Sequence, residues 1–281
     1  MSDDERVEPR TELGRADVHV HTLASDGVSG VEEILAWVEA SDLDVVAIAD
    51  HERIDAGVVA RRLAEARGLT TEIIVGEEIT TRNGHLVGLF LTERIKPWGS
   101  MKDSIARVHD QGGIAIVAHP LVHYPLCASE GTIRKALESA DPRHHPDAIE
   151  AFNPTTARMR WSRRVPEFIA SVGVAPVAAS DAHRADLIGR AQTRFPGRTA
   201  ADLRAAIAAR ATSWEGEGYA WTEQLGMFRR QTAKNLRAAR EEIGGKVLRN
   251  GTGRDLGYPG GRQRPVRFDA QAAGLPEGDD G

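Results

Sequence analysis

Histidines and carboxylates in this chain collect where short apolar runs end. His19 and His21 form an H-x-H pair at the close of the run 16–20. Alternation along a strand puts residues i and i+2 on one face, so both rings can reach a single ion. Asp26 follows in H-T-L-A-S-D-G, His51 lies just past a second run in A-D-H, and Glu78 sits in G-E-E-I. His85 opens G-H-L-V-G, His119 ends A-I-V-A-H-P, and Asp181 and His183 end A-S-D-A-H. Burying so many titratable groups side by side costs several kcal/mol apiece unless they are paired or bind metal. Imidazole and carboxylate without thiolate suit Zn²⁺, Mn²⁺ or Fe²⁺. These nine donors exceed the shell of one ion, so two or three divalent transition metal ions are expected. Such a cluster brings the pKa of bound water toward neutrality and clamps an anionic ester, which is the chemistry of phosphoester hydrolysis. His109 reads as a surface residue of a helix, and His144 and His145 as solvated residues of D-P-R-H-H-P. His123, four residues after His119, is a candidate to face substrate.

The elements that must position these groups alternate. Strands are expected at 16–20, 44–49, 73–80, 85–91, 114–118, 148–152 and 174–179, most of them rich in Val and Ile, as parallel strands covered on both faces are. Helical spacing follows Ser29, whose S-x-x-E with Glu32 reads as a capping box, and Ser100 with Asp103 opens another helix. Further helices are expected at 55–66, 132–139, 159–172 and 200–210. Repeated β-then-α units imply an α/β domain with a parallel sheet or barrel, whose chemistry sits at the carboxyl ends of strands.

Composition bounds the rest. Apolar residues make up 41 % of the 281, and with the 28 glycines the chain has a globular composition. No apolar stretch approaches the ~20 residues of a membrane helix, and the polar, acidic start MSDDERVEPR lacks a secretory apolar region. A net charge of −5 offers no support for a general nucleic-acid surface. Cys127 is alone, which fits a reducing compartment, and a cytoplasmic location is expected.

In order, H-x-H, S-D-G, D-H, G-x-E, H, A-H-P and S-D-A-H resemble the PHP (polymerase and histidinol phosphatase) family of metal-dependent phosphoesterases, over roughly residues 15–215. The resemblance implies a distorted seven-stranded β/α barrel with a trinuclear site at its mouth. One ion would be held by His19, His21, Glu78 and Asp181. A second would share Glu78 with His85 and His119, and a third would use Asp26, His51 and His183. Glu78 rather than Glu77 is chosen because relatives place the ligand two residues after glycine. His119, Asp181 and His183 are the catalytic candidates. Where relatives often read T-D-H-D, this chain has Ala49-Asp50-His51-Glu52, with Asp50 an orienter of neighbouring imidazoles. Asn153, Arg158, Arg160 and Arg184 are candidates to touch substrate, an arginine holding phosphate bidentately. Arg160, Arg163 and Arg164 read equally as exposed helix charges.

The chain then divides into an N-terminus 1–14, a metallo-phosphoesterase domain 15–215, a helical extension 216–245, and a tail 246–281 too poor in apolar residues to fold alone. The expected activity is hydrolysis of a small phosphomonoester or nucleotide, with no membrane or stable nucleic-acid partner. An exonuclease or histidinol-phosphate phosphatase of the same family is the alternative. A C–N hydrolase of amidohydrolase type fits less well, because none of the five lysines closes an apolar strand to bridge metals.

Overall fold

The computed structural model describes residues 13–123, 126–220 and 223, all within Met1–Thr232. Strands β1 (Gly14–Val20), β2 (Val45–Ile48) and β3 (Glu72–Thr81) run parallel, and β4 (Gly84–Leu89) returns antiparallel to β3. β5 (Ile114–Val117), antiparallel to β4, is followed by parallel β6 (Ala148–Phe152) and β7 (Ala175–Ala178). β8 (Ala191–Phe195) pairs antiparallel with β1, and β9 (Ser213–Gly216) with β8. The order is β7-β6-β5-β4-β3-β2-β1-β8-β9.

The expected seven strands are thus nine among the described residues. In β8 buried residues alternate with half-exposed ones, and all of β9 is exposed, so neither forms an apolar run. The parallel expectation fails at β4. Thr81 pairs with Gly84 across the two-residue connection Arg82-Asn83. Asn-Gly is a hairpin signal, and a parallel return needs a crossover of a dozen or more residues. The sheet nearly closes on itself. Thr193 Oγ1 accepts the Ala178 N–H at 3.0 Å and donates to the Ala178 carbonyl at 2.9 Å, so a hydroxyl joins β8 to β7 where a backbone ladder is missing.

Residues of alternate parity fill the interior, among them Ala16, Val45, Ala47, Ile74, Ile116 and Val177. Helices α1 (Val31–Glu39) and α2 (Asp55–Arg67) cover the outer face of β1 and β2. α3 (Met101–Asp110), α4 (Glu130–Leu137) and α5 (Val165–Val172) cover that of β4 to β6. α6 (Ala200–Ala208) adds Leu203, Ala206 and Ile207 to the interior cluster. Its Ala200 N–H donates to the Glu72 carboxylate and Arg204 to the Gly112 carbonyl, which sets α6 at the end where β3 and β5 begin.

Several helix starts differ from expectation. Gly30, not Ser29, precedes α1, and the Ser29 hydroxyl accepts the Ala185 N–H instead of closing a capping box with Glu32. Ser100 caps α3 as expected, whereas α4 starts earlier than expected, at Glu130, under the Ser129 hydroxyl. The helix expected from 159 splits into a 3₁₀ turn, Ser162–Arg164, and α5, because Pro166 suits only a first helical turn. Tyr219, beyond the expected boundary at 215, is fully buried. The helix and tail expected beyond it lie outside the described residues, apart from Glu223. No helix among the described residues is long and apolar enough to cross a membrane.

Candidate metal centre

Strand parity carries four of the expected donors to the mouth. Val45, Ala47 and Ala49 point inward, and so does His51. Ile74 fixes the parity of Glu78, Val87 and Leu89 that of His85, and Val177 and Ala179 that of Asp181. Glu77 has the opposite parity. Its Oε2 accepts the Ile95 N–H at 2.7 Å, and burial pushes its carboxyl up to about 8.

Simple alternation fails at two places. Ala16 and Val18 face the interior but Val20 joins the outer layer. Between Asp17, opposite Val46, and Val20, opposite Ile48, β1 carries one extra residue. This bulge turns His19 and His21 inward, the re-aiming that bulges perform. His119 follows β5, where Ala115 and Val117 lie outward, yet its φ of +28° swings it back to the mouth. Its N–H donates to Glu150 Oε2 at 2.7 Å. Asp181, at φ +51°, is a second non-glycine donor in this costly region, where surrounding structure must hold the backbone.

Glu78 is the hub. Its Oε2 lies 3.2 Å from His19 Nε2, 3.3 Å from His21 Nε2 and 3.3 Å from His51 Nδ1. Its Oε1 lies 2.6 Å from His85 Nδ1 and 3.1 Å from His119 Nε2. Asp181 Oδ1 is 3.3 Å from His21 Nε2, and Asp26 Oδ2 is 3.1 Å from His183 Nε2 and 3.5 Å from His51 Nε2. Donor atoms lie within 4.8 Å of one another in three groups: His19, His21 and Asp181; His51, Glu78 and His85; and His21, Asp26, His51 and His183. The structure therefore brings all nine expected donors together. His119 stands beside the second group through its contact with Glu78 Oε1, and His21 and His51 each serve two groups rather than one.

The donor set fits cations better than internal pairing. His85 Nδ1 sits 2.6 Å from Glu78 Oε1 yet off any hydrogen-bond axis, and His21 Nδ1 is also without a hydrogen-bond partner. Buried polar atoms are normally paired. Burial works against a charged His21, but its bonds to Asp181 and Glu78 push it up to about 10. Burial likewise opposes charge on His19 and His119; the Glu78, Asp181 and Glu150 carboxylates drive the first well above the usual imidazole range, and Cys127 and Glu78 drive the second. Despite burial, the surrounding imidazoles hold three carboxylates below the usual range: His51 and His19 act first on Glu78, His19 and His21 on Asp181, and His183 and His51 on Asp26. Protons here do the neutralising that cations would take over.

A further layer aims the rings, and most of it escaped the sequence reading. Glu150 Oε1 meets His19 Nδ1 at 2.8 Å, leaving Nε2 for the centre. The Asp181 carbonyl accepts from His183 Nδ1 at 2.9 Å, and Cys127 Sγ lies 3.3 Å from His119 Nδ1. Such partners fix which ring nitrogen is free to ligate. The signal for Glu150 was a carboxylate in the otherwise apolar A-I-E-A-F. Asp17, pushed up to about 6 by burial, accepts the Ser180 and Gly189 N–H groups and ties β1 to the loop after β7. Asp50 orients no imidazole. It accepts the Thr22 N–H and the Thr22 and Ser25 hydroxyls, shaping the loop that carries Asp26.

The substrate candidates scatter. Asn153 is buried, and its amide donates to Glu150 at 3.0 Å and Asp181 at 3.3 Å. Arg158 donates to the Tyr219 carbonyl, Arg184 is paired with Asp186, and Arg160 is exposed. Arg163 instead lines a cavity of about 140 Å³ with His119 and Asn153. Arg164 lines one of about 610 Å³ with His123, Cys127 and Trp161. His109 is not a plain surface residue: it bridges Asp147 and the Arg143 carbonyl. His144 and His145 bond to Ser139.

The family described as PHP-associated matches residues 160–212, the stretch holding Asp181 and His183. An uncharacterized protein of Methanocaldococcus jannaschii is 35 % identical over 150 residues, 50 % of this chain and 81 % of that protein. A 5′-3′ exoribonuclease of Haemophilus influenzae is 39 % identical over 77 residues, covering 26 % of this chain and only 27 % of the enzyme. Among solved structures, a two-domain protein of Bacteroides vulgatus containing a predicted PHP-like metal-dependent phosphoesterase superposes with a TM-score of 0.54 at 19 % identity. That superposition covers 73 % of this chain and 65 % of the other, and it bears on fold alone. The barrel-like α/β sheet, rimmed by imidazole and carboxylate in this chain, is a fold shared with that PHP-like structure. The chain belongs to the PHP family.

Proposed function

We propose that this chain is a metal-dependent phosphoesterase that hydrolyses a small phosphomonoester or nucleotide. The observation that carries the reading is Glu78, one buried carboxylate whose two oxygens meet five imidazoles from four strand ends. His19, His21, Glu78 and Asp181 would hold one ion, Glu78, His85 and His119 a second, and Asp26, His51 and His183 a third, with Zn²⁺, Mn²⁺ or Fe²⁺ compatible with these donors. When bound, such ions supply an activated water and neutralise phosphate charge.

The residues themselves do the remaining work. Glu150 and Cys127 hold the Nδ1 edges of His19 and His119 so that Nε2 faces the centre. His51, Asp26 and His183 keep side chains 28 %, 20 % and 17 % exposed, whereas His19 and His21 are sealed, so substrate approaches over the first three. His183, half-buried beside Asp181, donates Nδ1 to the Asp181 carbonyl and so leaves Nε2 for the third ion, and the proton for the leaving oxygen would come from water on the open side of the site. The likeness to an exoribonuclease supports a second reading, stepwise release of nucleotides from an oligonucleotide.

The test is a panel of phosphorylated substrates with Mn²⁺- and Zn²⁺-loaded protein. Release of inorganic phosphate from small monoesters is expected, and His119→Ala should lower it by orders of magnitude. Unchanged turnover in that variant would remove the assignment. Shortening of an oligonucleotide without phosphate release would favour the nuclease, and release of ammonia or amine would point to C–N hydrolysis.

A further inference from the structure

Beside His119 lies a cavity of about 610 Å³ that the phosphoesterase chemistry leaves unused. Its size is within the roughly 300–1,000 Å³ of small-molecule sites and far exceeds the room a phosphate group needs. It is one side chain away from the donor cluster, because Cys127 lines it and touches His119 Nδ1 at 3.3 Å. Two loops build the wall. His123, from the loop after β5, and Trp161, from the loop after β6, meet with ring centroids 4.9 Å apart and planes tilted by 33°. Together they form one aromatic surface, and Trp161 keeps 39 % of its area open. Aromatic walls of this kind bind flat π-systems and give little to flexible polyols.

The polar side of the cavity is also provided for. Glu130 Oε1 is already held by Arg134 at 3.0 Å, and Arg164 reaches Glu130 Oε2 only at 3.9 Å. The Arg164 guanidinium, 71 % exposed, thus retains donors for the acceptor edge of a ring. Backbone strain gathers in the same loop, with Leu121 at φ +64° and Leu126 at φ +69°, as it does where a segment is held for a purpose other than stability.

We infer that this cavity receives the leaving group of the substrate and selects one that carries a planar, nitrogen-containing ring of nucleobase size. Trp161 and His123 are the specificity-determining residues and take no part in bond breaking. The inference rests on the phosphoesterase reading for the word leaving group, but the ring site itself stands on the cavity.

The experiment uses the full chain loaded with Mn²⁺ and compares adenosine monophosphate with glycerol phosphate. Trp161→Ala and His123→Ala should each raise KM for the nucleotide about tenfold, the scale of one lost stacking contact, with kcat little changed. For glycerol phosphate kcat/KM should stay within about twofold, and Trp161→Phe should restore most of the nucleotide KM. Equal losses on both substrates, or none on either, would overturn the assignment. A second arm needs no turnover: adenosine alone should quench tryptophan fluorescence in the parent chain and not in Trp161→Leu. Quenching in a protein that hydrolyses neither ester keeps the ring site and removes the phosphoesterase reading. Hydrolysis of both esters without quenching removes the ring site and keeps the reading.

Discussion

The two ends of this barrel are made from the same strands and share almost nothing else. Where the parallel strands begin, Ala16, Val45, Ile114 and Ala175 meet Leu203, Ala206 and Ile207 of α6 in a fully apolar plug. Where they end, the continuations of the same strands present His19, His51, His119 and Asp181, packed around Glu78. Along β3 the change takes four residues, from Ile74 to Glu78. The base is apolar inside, with charges such as Glu72 and Arg204 only at its edge; the mouth is charged within, hydrogen-bonded and backbone-strained at His119 and Asp181. Dividing the labour along the strand lets a donor be lost from the mouth while the base still holds the sheet together.

That division can be broken from either side. Glu78→Gln should lower activity on the best substrate on the order of 10³-fold or more, and elemental measurement should find bound metal well below stoichiometric. A fully metallated, active variant would show that Glu78 is not the hub. At the other end, Leu203→Ala should cost about 2–5 kcal/mol in chemical denaturation while kcat of the folded protein stays within about twofold. A large fall in kcat with unchanged stability would mean that the two ends are not separable.

Acidity sharpens the contrast. In the metal-free chain His21 is raised from 6.5 to about 10, so its contribution to stability is complete below the ordinary imidazole value and fades as pH rises toward 10. Asp26 and Glu78 are depressed, so their share is present above the ordinary carboxylate range and is lost progressively as pH falls below that range toward their depressed values. Metal must displace imidazole protons, and apparent affinity should weaken about tenfold per pH unit for each proton released. Calorimetry in two buffers of different ionisation enthalpy counts those protons; a buffer-independent heat would contradict the protonated mouth. Away from both ends, His109 is raised chiefly by its hydrogen bond to Asp147. His109→Gln should cost below about 1 kcal/mol, with the difference from the parent shrinking as pH climbs through the raised value. The smallest effect is expected from removing residues 246–281, with kcat unchanged within about twofold.

Much of the architecture was legible because alternation is local. Once Val45, Ile74 and Val177 are placed inside, His51, Glu78 and Asp181 follow by counting in twos, and the same count sends Glu77 outward to Ile95. What counting cannot supply is an inserted residue or an unusual backbone angle. The bulge between Asp17 and Val20 and the positive φ of His119 are set by partners far away in sequence, among them Glu150 and Val46. The hairpin at Arg82-Asn83 was signalled by Asn-Gly and masked by the apolar runs on both sides. β8 and β9 were missed because β8 alternates buried with half-exposed residues and β9, at the sheet edge, is exposed throughout, so neither forms a continuous apolar run.

Tyr219 gives the mouth a brace. Its buried hydroxyl donates to the Ser180 carbonyl at 2.7 Å, immediately before Asp181, and its own carbonyl accepts from Arg158 at 2.9 Å. Because Tyr219 follows all nine donors in the chain, the brace on the loop bearing Asp181 is the last part of the mouth in sequence order, and it is made by a side chain that is not itself one of the donors.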